Sequence, residues 1–434
     1  MRMSALPNEL TATKIASRIA AGKLSARDVA EACLDAVAQR ESVVQAFAFL
    51  DAEMVRSAAN AVDTDSAKTH APLAGIPAAF KDIMDTADMP TCYNSPIYAG
   101  HRPRTDASVV AFTRAAGGIV FGKAVTTEFA NRYPGPTTNP HDPMRTPGGS
   151  SSGSAAAVAA RMVPLALGTQ TSGSVIRPAA YCGVHGFKGS WGEISYAGIK
   201  LTSASLDTVG IYARCLEDIA LYRSVLTGTA PATLVTGGVG LPQVGLCLTP
   251  WRDQAEAPML AMLTDVANAL ARAGAEIIDF ALPPHFSQLI DAQRWVSSYE
   301  GSRSLAAEKF GHPTLLSDDI RLGRIRDGEA CSQERYHASA RLGERCRIEL
   351  DAIFEHDIDV LLTPAAPGEA PLGHRHTGSA TFNTPWTFLH VPCVTIPGHL
   401  GPNGMPLGFQ LIGKRGADRS LLEIAAWIER AAFT

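Results

Sequence analysis

The chain has 434 residues, of which 46% are hydrophobic and 18% are charged, so it holds enough apolar material for a sizeable buried core. Its formal net charge of −4 without a basic tract argues against a nucleic-acid-binding protein, and the interspersed charges argue against a basic membrane-binding patch. Eight scattered cysteines without a CxxC pair predict free thiols, and no apolar run is long enough to span a bilayer, so we expect a cytoplasmic protein.

The first half of the chain contains helical and strand-like patterns. Apolar periodicity predicts two amphipathic helices within 11–40, and Ser25 followed by Asp28 resembles a capping box. Uninterrupted apolar segments predict strands, and a run of small residues predicts a further helix. The predicted strands are 43–50, 76–80, 118–125 and 183–187, and the predicted helix is 155–162.

The second half alternates strands and helices more regularly, which predicts an α/β protein whose sheet is covered on both faces. A linker-like stretch, 228–242, is interpreted as a surface loop, so we expect one domain over 1–434. Within it we expect a catalytic core at about 70–225 and a variable helical region at about 283–358. The predicted strands are 244–248, 276–282, 359–362, 394–397 and 408–413, and the predicted helices are 257–273, 334–356 and 418–430.

Two segments rich in glycine and serine, 148–154 and 168–174, differ from ordinary linkers. Such runs are usually flexible linkers or turns. Here, however, each joins an apolar segment that we expect to be buried, namely 155–160 after the first and 163–167 before the second. Glycines in buried backbone let a ligand approach closely and present successive N–H groups, as an oxyanion hole requires. These segments therefore indicate a catalytic site.

Lys81 is unusual because it stands at the end of an otherwise apolar predicted strand. A lysine at a strand end can extend its amino group to solvent. If the amino group is instead desolvated, its pKa falls and the neutral amine can act as a base. Serine–lysine pairs are a known means of activating a serine nucleophile. Together with the two glycine- and serine-rich segments, Lys81 predicts a serine hydrolase.

These motifs resemble those of the amidase signature family. The most specific part of the resemblance is a lysine followed by two such segments, with a spacing of 24 residues from Ser150 to Ser174. The resemblance spans most of the chain and is weakest over 255–360. The matching motifs are 72–82 (PLAGIPAAFKD), 147–159 (PGGSSSGSAAAVA), 168–179 (GTQTSGSVIRPA), 181–188 (YCGVHGFK), 205–210 (SLDTVG) and 407–413 (LGFQLIG).

The resemblance implies a single-domain α/β/α sandwich around a mixed β-sheet, and an amidohydrolase that uses no metal and no organic cofactor. It implies that Ser174 is the nucleophile, that Ser150 is a bridging serine in a cis peptide, and that Lys81 is the base. The substrates it implies are small-molecule amides, anilides, carbamates or esters, as for malonamidase, aryl acylamidase and urethanase-like members. The oxyanion would be held by backbone N–H groups of Thr171, Ser172, Gly173 and Ser174.

Three departures from the family pattern fall near this site. Ser172 replaces a glycine and narrows the conformations open to the oxyanion loop. Gln170 replaces an aspartate and so removes a negative charge. Arg177 follows the nucleophile by three residues instead of two, which on a helix turns its guanidinium by about 100°. In that position it could bind a substrate carboxylate or, equally, pair with a structural acid.

Further candidates come from segments that resemble supporting or pocket-lining parts of the family. Ser151 and Gln170 are expected to support the site, as is Asp207, for which a plain turn carboxylate is an equal interpretation. Aromatic and apolar residues in such segments are more often buried in the core than exposed to a ligand. The candidates for the substrate pocket, besides Arg177, are Met84, Tyr93, Tyr133, Gly149, Phe382 and Trp386.

Other functions fit parts of the sequence. Residues 149–153 formally match the G-x-S-x-G motif of an α/β-hydrolase esterase with Ser151 as nucleophile, but the proline-rich segment 137–147 lacks the strand that must precede that motif. The chain could also be a glutaminase-like amidotransferase subunit, which would need a stoichiometric protein partner. A homodimer is the expectation from symmetry statistics. His374 and His376 could suggest a metal site, but no third ligand stands at a recognisable spacing.

Overall fold

Eleven strands form one mixed sheet in the computed structural model, which describes residues 6–231, 233–235 and 240–433. The strands are β1 (Phe47–Phe49), β2 (Pro77–Lys81), β3 (Ile119–Ala124), β4 (Leu165–Gln170), β5 (His185–Lys188), β6 (Thr208–Ala213), β7 (Gln243–Leu246), β8 (Glu276–Asp279), β9 (Val360–Pro364), β10 (Cys393–Leu400) and β11 (Pro406–Ile412). Their order across the sheet is β1-β3-β2-β4-β6-β5-β10-β11-β9-β7-β8. The β2 strand runs parallel to β3 and β4, and β7 runs parallel to β8 and β9, whereas the other pairs are antiparallel.

Helices connect most of these strands within the described residues. They are α1 (Ala12–Ala20), α2 (Ala26–Val44), α3 (Ala52–Asp63), α4 (Ser66–Thr69), α5 (Ser108–Ala115), α6 (Ser152–Ala159), α7 (Ile176–Cys182), α8 (Leu216–Thr227), α9 (Ala257–Arg272), α10 (Leu289–Ser304), α11 (Ala306–Gly311), α12 (Arg326–Ala330), α13 (Gln333–His356), α14 (Thr384–Phe388) and α15 (Asp418–Phe433). A π-helical turn, Ile320–Ile325, precedes α12, and several short 3₁₀ turns complete the connections.

The burial of the central strands shows that the sheet is covered on both faces. Every residue of β2, β3, β4, β6, β9 and β11 is buried, although successive side chains of a strand point to opposite faces. Helices therefore pack against the sheet from both sides, α6 against β2, β3 and β4 and α15 against β10 and β11 among them. This arrangement confirms the predicted α/β/α sandwich.

The register of the central strands determines where the motifs meet. In the parallel pair β2 and β4, Ala78 lies opposite Leu165 and Phe80 opposite Leu167. The carboxyl ends of the two strands consequently lie side by side, with Lys81 at the end of β2. The glycine- and serine-rich loops that precede α6 and α7 converge at this edge.

The N-terminal part largely follows the sequence-based expectation. Two helices, α1 and α2, occupy the predicted region, and Ser25 and Asp28 form the predicted capping box in both directions. The predicted strand 43–50 is wrong at its start, because α2 continues to Val44 and only Phe47–Phe49 pair with β3. The α2 helix continues because its buried positions still recur at helical spacing up to Val44.

Residues 283–358 contain α10 to α13 and the π-helical turn. The α10 helix packs against α12, α13 and α14, and its Gln293 reaches the carbonyl oxygen of Thr171, just after β4. Of the predicted loop 228–242, residues 232 and 236–239 lie outside the described residues. No described helix is both long and apolar enough to cross a membrane.

Candidate active site

Lys81 is the last residue of β2, and its side-chain nitrogen is buried within the candidate site. The residue is 0% exposed, and Nζ donates to Oγ of Ser150 (2.7 Å) and to Oγ1 of Thr169 (2.8 Å). Burial lowers the pKa of Lys81 to about 7, although the carboxylate of Asp207 acts in the opposite direction. A lysine with this pKa is largely neutral just above pH 7 and can accept a proton.

Ser150 follows a turn made by two glycines in the left-handed region, Gly148 with φ 85° and Gly149 with φ 59°. A Cβ at Gly149 would also lie 2.8 Å from Cδ of Pro178 and 3.1 Å from Cα of Ser174. The turn brings the backbone N–H of Ser150 to Oγ of Ser174, with a distance of 3.1 Å. The expected cis peptide at Ser150 is wrong, since the described residues contain no cis peptide bond and the two glycines supply the turn.

Residues 171–174 form the loop between β4 and α7 that carries Ser174. In the part of the chain that the structure describes, the N–H groups of these four residues have no hydrogen-bond acceptor. Gly173 leaves no room for a side chain, because a Cβ there would lie 2.5 Å from Oδ1 of Asn383. Unpaired N–H groups beside a nucleophile are what an oxyanion hole requires. The loop can therefore hold the negative oxygen of a tetrahedral intermediate.

Side chains from distant segments hold this loop in place. Nε2 of Gln293 donates to the carbonyl oxygen of Thr171 (2.9 Å) and to Oγ of Ser172 (3.0 Å). The hydroxyl of Thr387 donates to the carbonyl oxygen of Ser172 (2.7 Å). Ser172, which replaces the glycine of the family pattern, thus uses its side chain as an acceptor for Gln293.

Gln170, at the end of β4, connects the loop to two other elements. Its Oε1 accepts the N–H groups of Val175 (2.8 Å) and Ile176 (3.0 Å), where α7 begins. Its Nε2 donates to Oγ1 of Thr387 (2.9 Å). An ionised aspartate could accept the two N–H groups but has no donor for the threonine. The departure from the family pattern therefore adds a contact that supports the loop.

Asp207 holds the loop from the segment that precedes β6. Its Oδ1 accepts the hydroxyl of Thr171, and its Oδ2 accepts the N–H groups of Thr202 (2.6 Å) and Ser203 (3.0 Å). Burial raises the pKa of Asp207 to about 6, and these hydrogen bonds and the charge of Lys81 oppose that rise. Asp207 therefore combines a positioning contact with an electrostatic influence on the lysine.

Ser151 is fully buried and uses its hydroxyl in two contacts with β4. Oγ donates to the carbonyl oxygen of Thr169 (3.1 Å) and accepts the N–H of the same residue (3.1 Å). The segment 141–149 before it contains turns and no strand. These observations contradict the α/β-hydrolase alternative with Ser151 as nucleophile, because its motif requires a preceding strand and an exposed hydroxyl. Ser151 instead attaches the start of α6 to β4.

Comparison with known proteins identifies the family. The family model described as Amidase matches residues 28–422. This chain belongs to the amidase signature family. It is 31% identical to a glutamyl-tRNA(Gln) amidotransferase subunit of Chloroflexus aurantiacus, over 98% of this chain and 96% of the relative. Membership makes it a hydrolase that acts on carbon–nitrogen bonds.

Solved structures agree with this assignment. One, described as a vestigial protein complex that reveals the origins of an s-triazine catabolic enzyme, has a TM-score of 0.87 and 29% identity, and the match covers 97% of this chain and 98% of that chain. The peptide amidase from Stenotrophomonas maltophilia has a TM-score of 0.82 and 26% identity, and the match covers 98% of this chain and 97% of that chain.

A cavity of about 450 Å³ opens in front of Ser174. Its lining includes the 171–174 loop, segments 130–132 and 375–380, part of α10 and residues near the π-helical turn. Lys81 and Ser150 do not belong to this lining, since they are buried behind the nucleophile. The variable helical region therefore forms a large part of the wall that a substrate would meet.

Arg177 lines this cavity and is 5% exposed. Its Nη2 donates to Oγ1 of Thr377 (3.1 Å), whereas its Nε and Nη1 are buried and have no partner among the described residues. Burial lowers the pKa of Arg177 to about 10. No acid among the described residues forms a salt bridge with it, so the structure shows no ion pair for this arginine.

The other pocket candidates lie away from this cavity. Met84, Phe382 and Trp386 are 0% exposed and belong to the core. Tyr93 is buried with its hydroxyl donating to a carboxylate, and Tyr133 is on the surface. The resemblance indicated their segments but not the direction in which the side chains point. Gly149 lies beside the nucleophile, since a Cβ added to it would be 3.1 Å from Cα of Ser174.

Several site residues were not among the sequence-based candidates. The sequence could have indicated Thr169, since it lies within the GTQTSGS motif, but the other residues named below lie in segments without a recognisable pattern. In the described residues, no group of three or more His, Cys, Asp or Glu side chains could hold a metal ion, and His374 and His376 are both exposed. The residues that only the structure reveals are Thr169, Gln293, Thr377, Asn383 and Thr387, together with Arg132 and Arg324 of the cavity wall.

Proposed function

We propose that this chain cleaves the amide bond of a small molecule through an acyl-enzyme on Ser174, with Ser150 as proton relay and Lys81 as base. The observation that carries the proposal is that Ser150 contacts both the base and the nucleophile, the first through its hydroxyl and the second through its backbone N–H. The hydroxyl of Ser150 lies 2.7 Å from Nζ of Lys81, and the N–H of Ser150 lies 3.1 Å from Oγ of Ser174. Ser150 is thus the residue that links the base to the nucleophile.

In the first step Oγ of Ser174 forms a bond to the carbonyl carbon of the substrate. Its proton passes to the hydroxyl oxygen of Ser150 while the Ser150 proton passes to the neutral Nζ of Lys81. The carbonyl oxygen becomes negative and is held by the unpaired N–H groups of 171–174. Each such donor typically contributes about 3 kcal/mol of transition-state stabilisation.

In the second step the carbon–nitrogen bond breaks and the amine leaves. Lys81 returns its proton through Ser150 to the leaving nitrogen, so the lysine is neutral again when the acyl-enzyme has formed. Water then attacks the acyl carbon and gives its proton through Ser150 to Lys81. The bond between the acyl carbon and Oγ of Ser174 breaks, the acid leaves, and Lys81 returns the proton through Ser150 to Oγ. The same sequence serves esters, in which an alcohol leaves instead of an amine, and carbamates, in which the acyl group carries an alkoxy oxygen.

Arg177 supports a substrate with a carboxylate on its acyl side. Its α7 helix begins two residues after Ser174, and the acyl group stays attached to Ser174 through the reaction. Two of its nitrogen atoms are buried without a partner, which is costly unless an anion binds there. A short dicarboxylic acid monoamide would supply that anion.

The first test compares two matched anilides, one neutral and one with a free carboxylate on the acyl side, with Ser174→Ala protein as the blank. We expect faster turnover of the charged anilide. Faster turnover of the neutral one would make Arg177 structural and direct the search to neutral aryl amides, carbamates and esters.

The catalytic assignment is tested separately from the substrate. Ser174→Ala, Ser150→Ala and Lys81→Ala should each lower kcat by at least about 1,000-fold on whichever anilide is turned over. Circular dichroism and thermal melting should show that each variant is folded. Activity close to that of the unaltered protein in any of the three would refute the assignment.

A second candidate function is a glutaminase-like subunit of an amidotransferase, because the curated relatives that match most of this chain are named as amidotransferase subunits. This function predicts that a stoichiometric partner copurifies and that glutamine is hydrolysed when the partner is present. A protein that purifies without a partner, turns over anilides and does not hydrolyse glutamine would exclude the amidotransferase function. Light scattering on that species would also test the expected homodimer.

The expected location is the cytoplasm. All eight cysteines are described and carry free thiols, which suits a reducing compartment. Fractionation of cells that express the tagged protein would test this expectation.

A further inference from the structure

A second arginine, Arg324, stands in the same cavity on a different wall from Arg177. It lies in the π-helical turn Ile320–Ile325, which belongs to the variable helical region. Its Nε donates to Oδ1 of Asn131 (2.8 Å) and its Nη1 donates to Oγ of Ser297 (2.7 Å). Both partners are neutral, so they fix the position of the guanidinium without neutralising its charge.

Arg132 adds a third positive charge beside both of these arginines. Burial and then the charge of Arg132 lower the pKa of Arg324 to about 10, while Asp207 and Asp327 act more weakly in the opposite direction. The charge of Arg132 also acts on Arg177 in the direction that lowers its pKa. Arg132 is exposed and lines the same cavity as these two arginines, so an anion held in the cavity would reduce the repulsion among the three charges.

The charge balance of the cavity wall is strongly positive. In the described chain Arg132, Arg177 and Arg324 take part in no salt bridge, and the acidic residue in the lining is Asp319. Arg294 is a useful contrast, because it lines the same cavity but is paired with Asp327 at 2.8 Å. Arg177 is buried and Arg324 is half-buried, whereas Arg132 is exposed. Because a desolvated cation without a counter-ion is expensive, Arg177 and Arg324 favour an anionic occupant of the cavity.

Resting on the proposed function, we propose that the substrate carries two anionic groups, one bound by Arg177 on the acyl side and the other by Arg324 with Arg132 on the side of the leaving amine. The two arginines stand on separate elements and are held by separate partners, Thr377 for one and Asn131 with Ser297 for the other. Because the two guanidinium groups are anchored separately, each can bind an anion of its own. The substrate class is an amide between a short dicarboxylic acid and an amine that bears its own carboxylate, and about 450 Å³ accommodates such a molecule.

The experiment uses four amides that differ only in their charges. They are N-succinyl-4-aminobenzoate with both carboxylates, N-succinylaniline and N-butyryl-4-aminobenzoate with one each, and N-butyrylaniline with none. We expect the kcat/KM of the unaltered protein for the doubly charged amide to exceed that for each singly charged amide by about 10-fold or more. The preferences for the two carboxylates should be separable by mutation.

Three arginine variants separate them. Arg177→Met should abolish the preference for the acyl-side carboxylate and keep the other. Arg324→Met should abolish the preference for the leaving-side carboxylate and keep the first. Arg294→Met, which removes an arginine already paired with Asp327, should keep both preferences. Ser297→Ala removes one anchor of Arg324 and should weaken the leaving-side preference without loss of the fold.

Two results would overturn the inference while the proposed function stands. One is turnover of the four amides without a preference for the second carboxylate. The other is an equal decrease for all four amides in both Arg324→Met and Ser297→Ala, which would make Arg324 merely structural.

If none of the four amides is turned over in a Ser174-dependent way, the proposed function fails for this substrate class, and binding then decides the inference. Calorimetry with Ser174→Ala protein should show that N-succinyl-4-aminobenzoate binds, and that a further Arg324→Met substitution weakens binding by about 10-fold or more. Absence of binding, or binding unaffected by that substitution, would refute the second anionic subsite.

Discussion

The replacement Lys81→Met tests whether the catalytic site contains a lysine that folding holds neutral. Methionine has similar length and no charge, so it removes the titration and keeps most of the packing. Lys81 is 0% exposed, and burial lowers its pKa from 10.5 to about 7. The unfolded chain binds the Lys81 proton more strongly than the folded chain does, so the lowered pKa decreases the free energy of unfolding below pH 10.5. This decrease reaches its full size once the pH is below about 7.

The size of this cost follows from linkage. At 1.36 kcal/mol per pKa unit, the unaltered protein is penalised by about 4 kcal/mol at pH 7 and by about 1 kcal/mol at pH 10. Lys81→Met carries no such penalty but loses two hydrogen bonds, with Ser150 and Thr169, at every pH. The free energy of unfolding of Lys81→Met minus that of the unaltered protein should therefore decrease by about 3 kcal/mol from pH 7 to pH 10.

Urea unfolding followed by fluorescence and circular dichroism at both pH values measures this difference. Lys14→Met, which replaces an exposed lysine of α1, is the matched control for the loss of a lysine side chain outside the site. A pH-independent difference for Lys81→Met would refute the reasoning, because Lys81 would then have the same protonation in the folded and unfolded chains.

Three further substitutions test the loop and its supports. Gly173→Ala places a methyl group 2.5 Å from Oδ1 of Asn383, so kcat should fall by about 100-fold, as for the loss of an oxyanion donor, in steady-state anilide assays. Gln293→Leu removes two hydrogen bonds to the loop and should lower kcat by at least about 10-fold with little change in melting temperature. Ser151→Ala should retain activity but lose about 1–3 kcal/mol in urea unfolding, because the buried N–H of Thr169 loses its acceptor. Full activity in either of the first two variants, or an inactive but folded Ser151→Ala, would contradict these roles.

Much of the sheet could be predicted because its strands are short apolar runs between turns. The segments 76–80, 118–125 and 244–248 contain β2, β3 and β7 almost residue for residue. In contrast, β6 (Thr208–Ala213) was not predicted as a strand, since half of it lies in a motif with serine, aspartate and threonine. The order of the strands in the sheet could not be predicted either, because it depends on pairings between distant segments, such as Cys393 opposite Lys188.

The centre of the site could be predicted and its supports could not. Lys81, Ser150 and Ser174 lie in local motifs whose residue types carry a chemical meaning by themselves. Gln293 and Thr387 are generic polar residues that acquire a role only through contacts with a loop 121 to 215 positions away. Their function depends on tertiary packing, which no local pattern records.

The same tertiary packing fixes the pH at which the site works, and Asp207 makes this testable. Since the base must be neutral, kcat/KM should fall about tenfold per pH unit below the Lys81 pKa of about 7. The charge of Asp207 raises that pKa, so Asp207→Asn should move this acidic limb to lower pH, even though the loss of loop contacts lowers the rate overall.

Thr171→Val is the matched control, because it breaks the contact between the loop and Asp207 but leaves the carboxylate in place. Its rate should fall, while its acidic limb should move less than that of Asp207→Asn, because the carboxylate stays and loses only the Thr171 hydrogen bond, which lowers its pKa. The profiles are best compared between pH 6.5 and 8, since Asp207 itself gains a proton near its own pKa of about 6. Two results would contradict this role of Asp207: an acidic limb of the pH profile that is unchanged in Asp207→Asn, or one that moves equally in both variants. Asp207 would then act on the loop alone, and the acidic limb would not reflect the charge near Lys81.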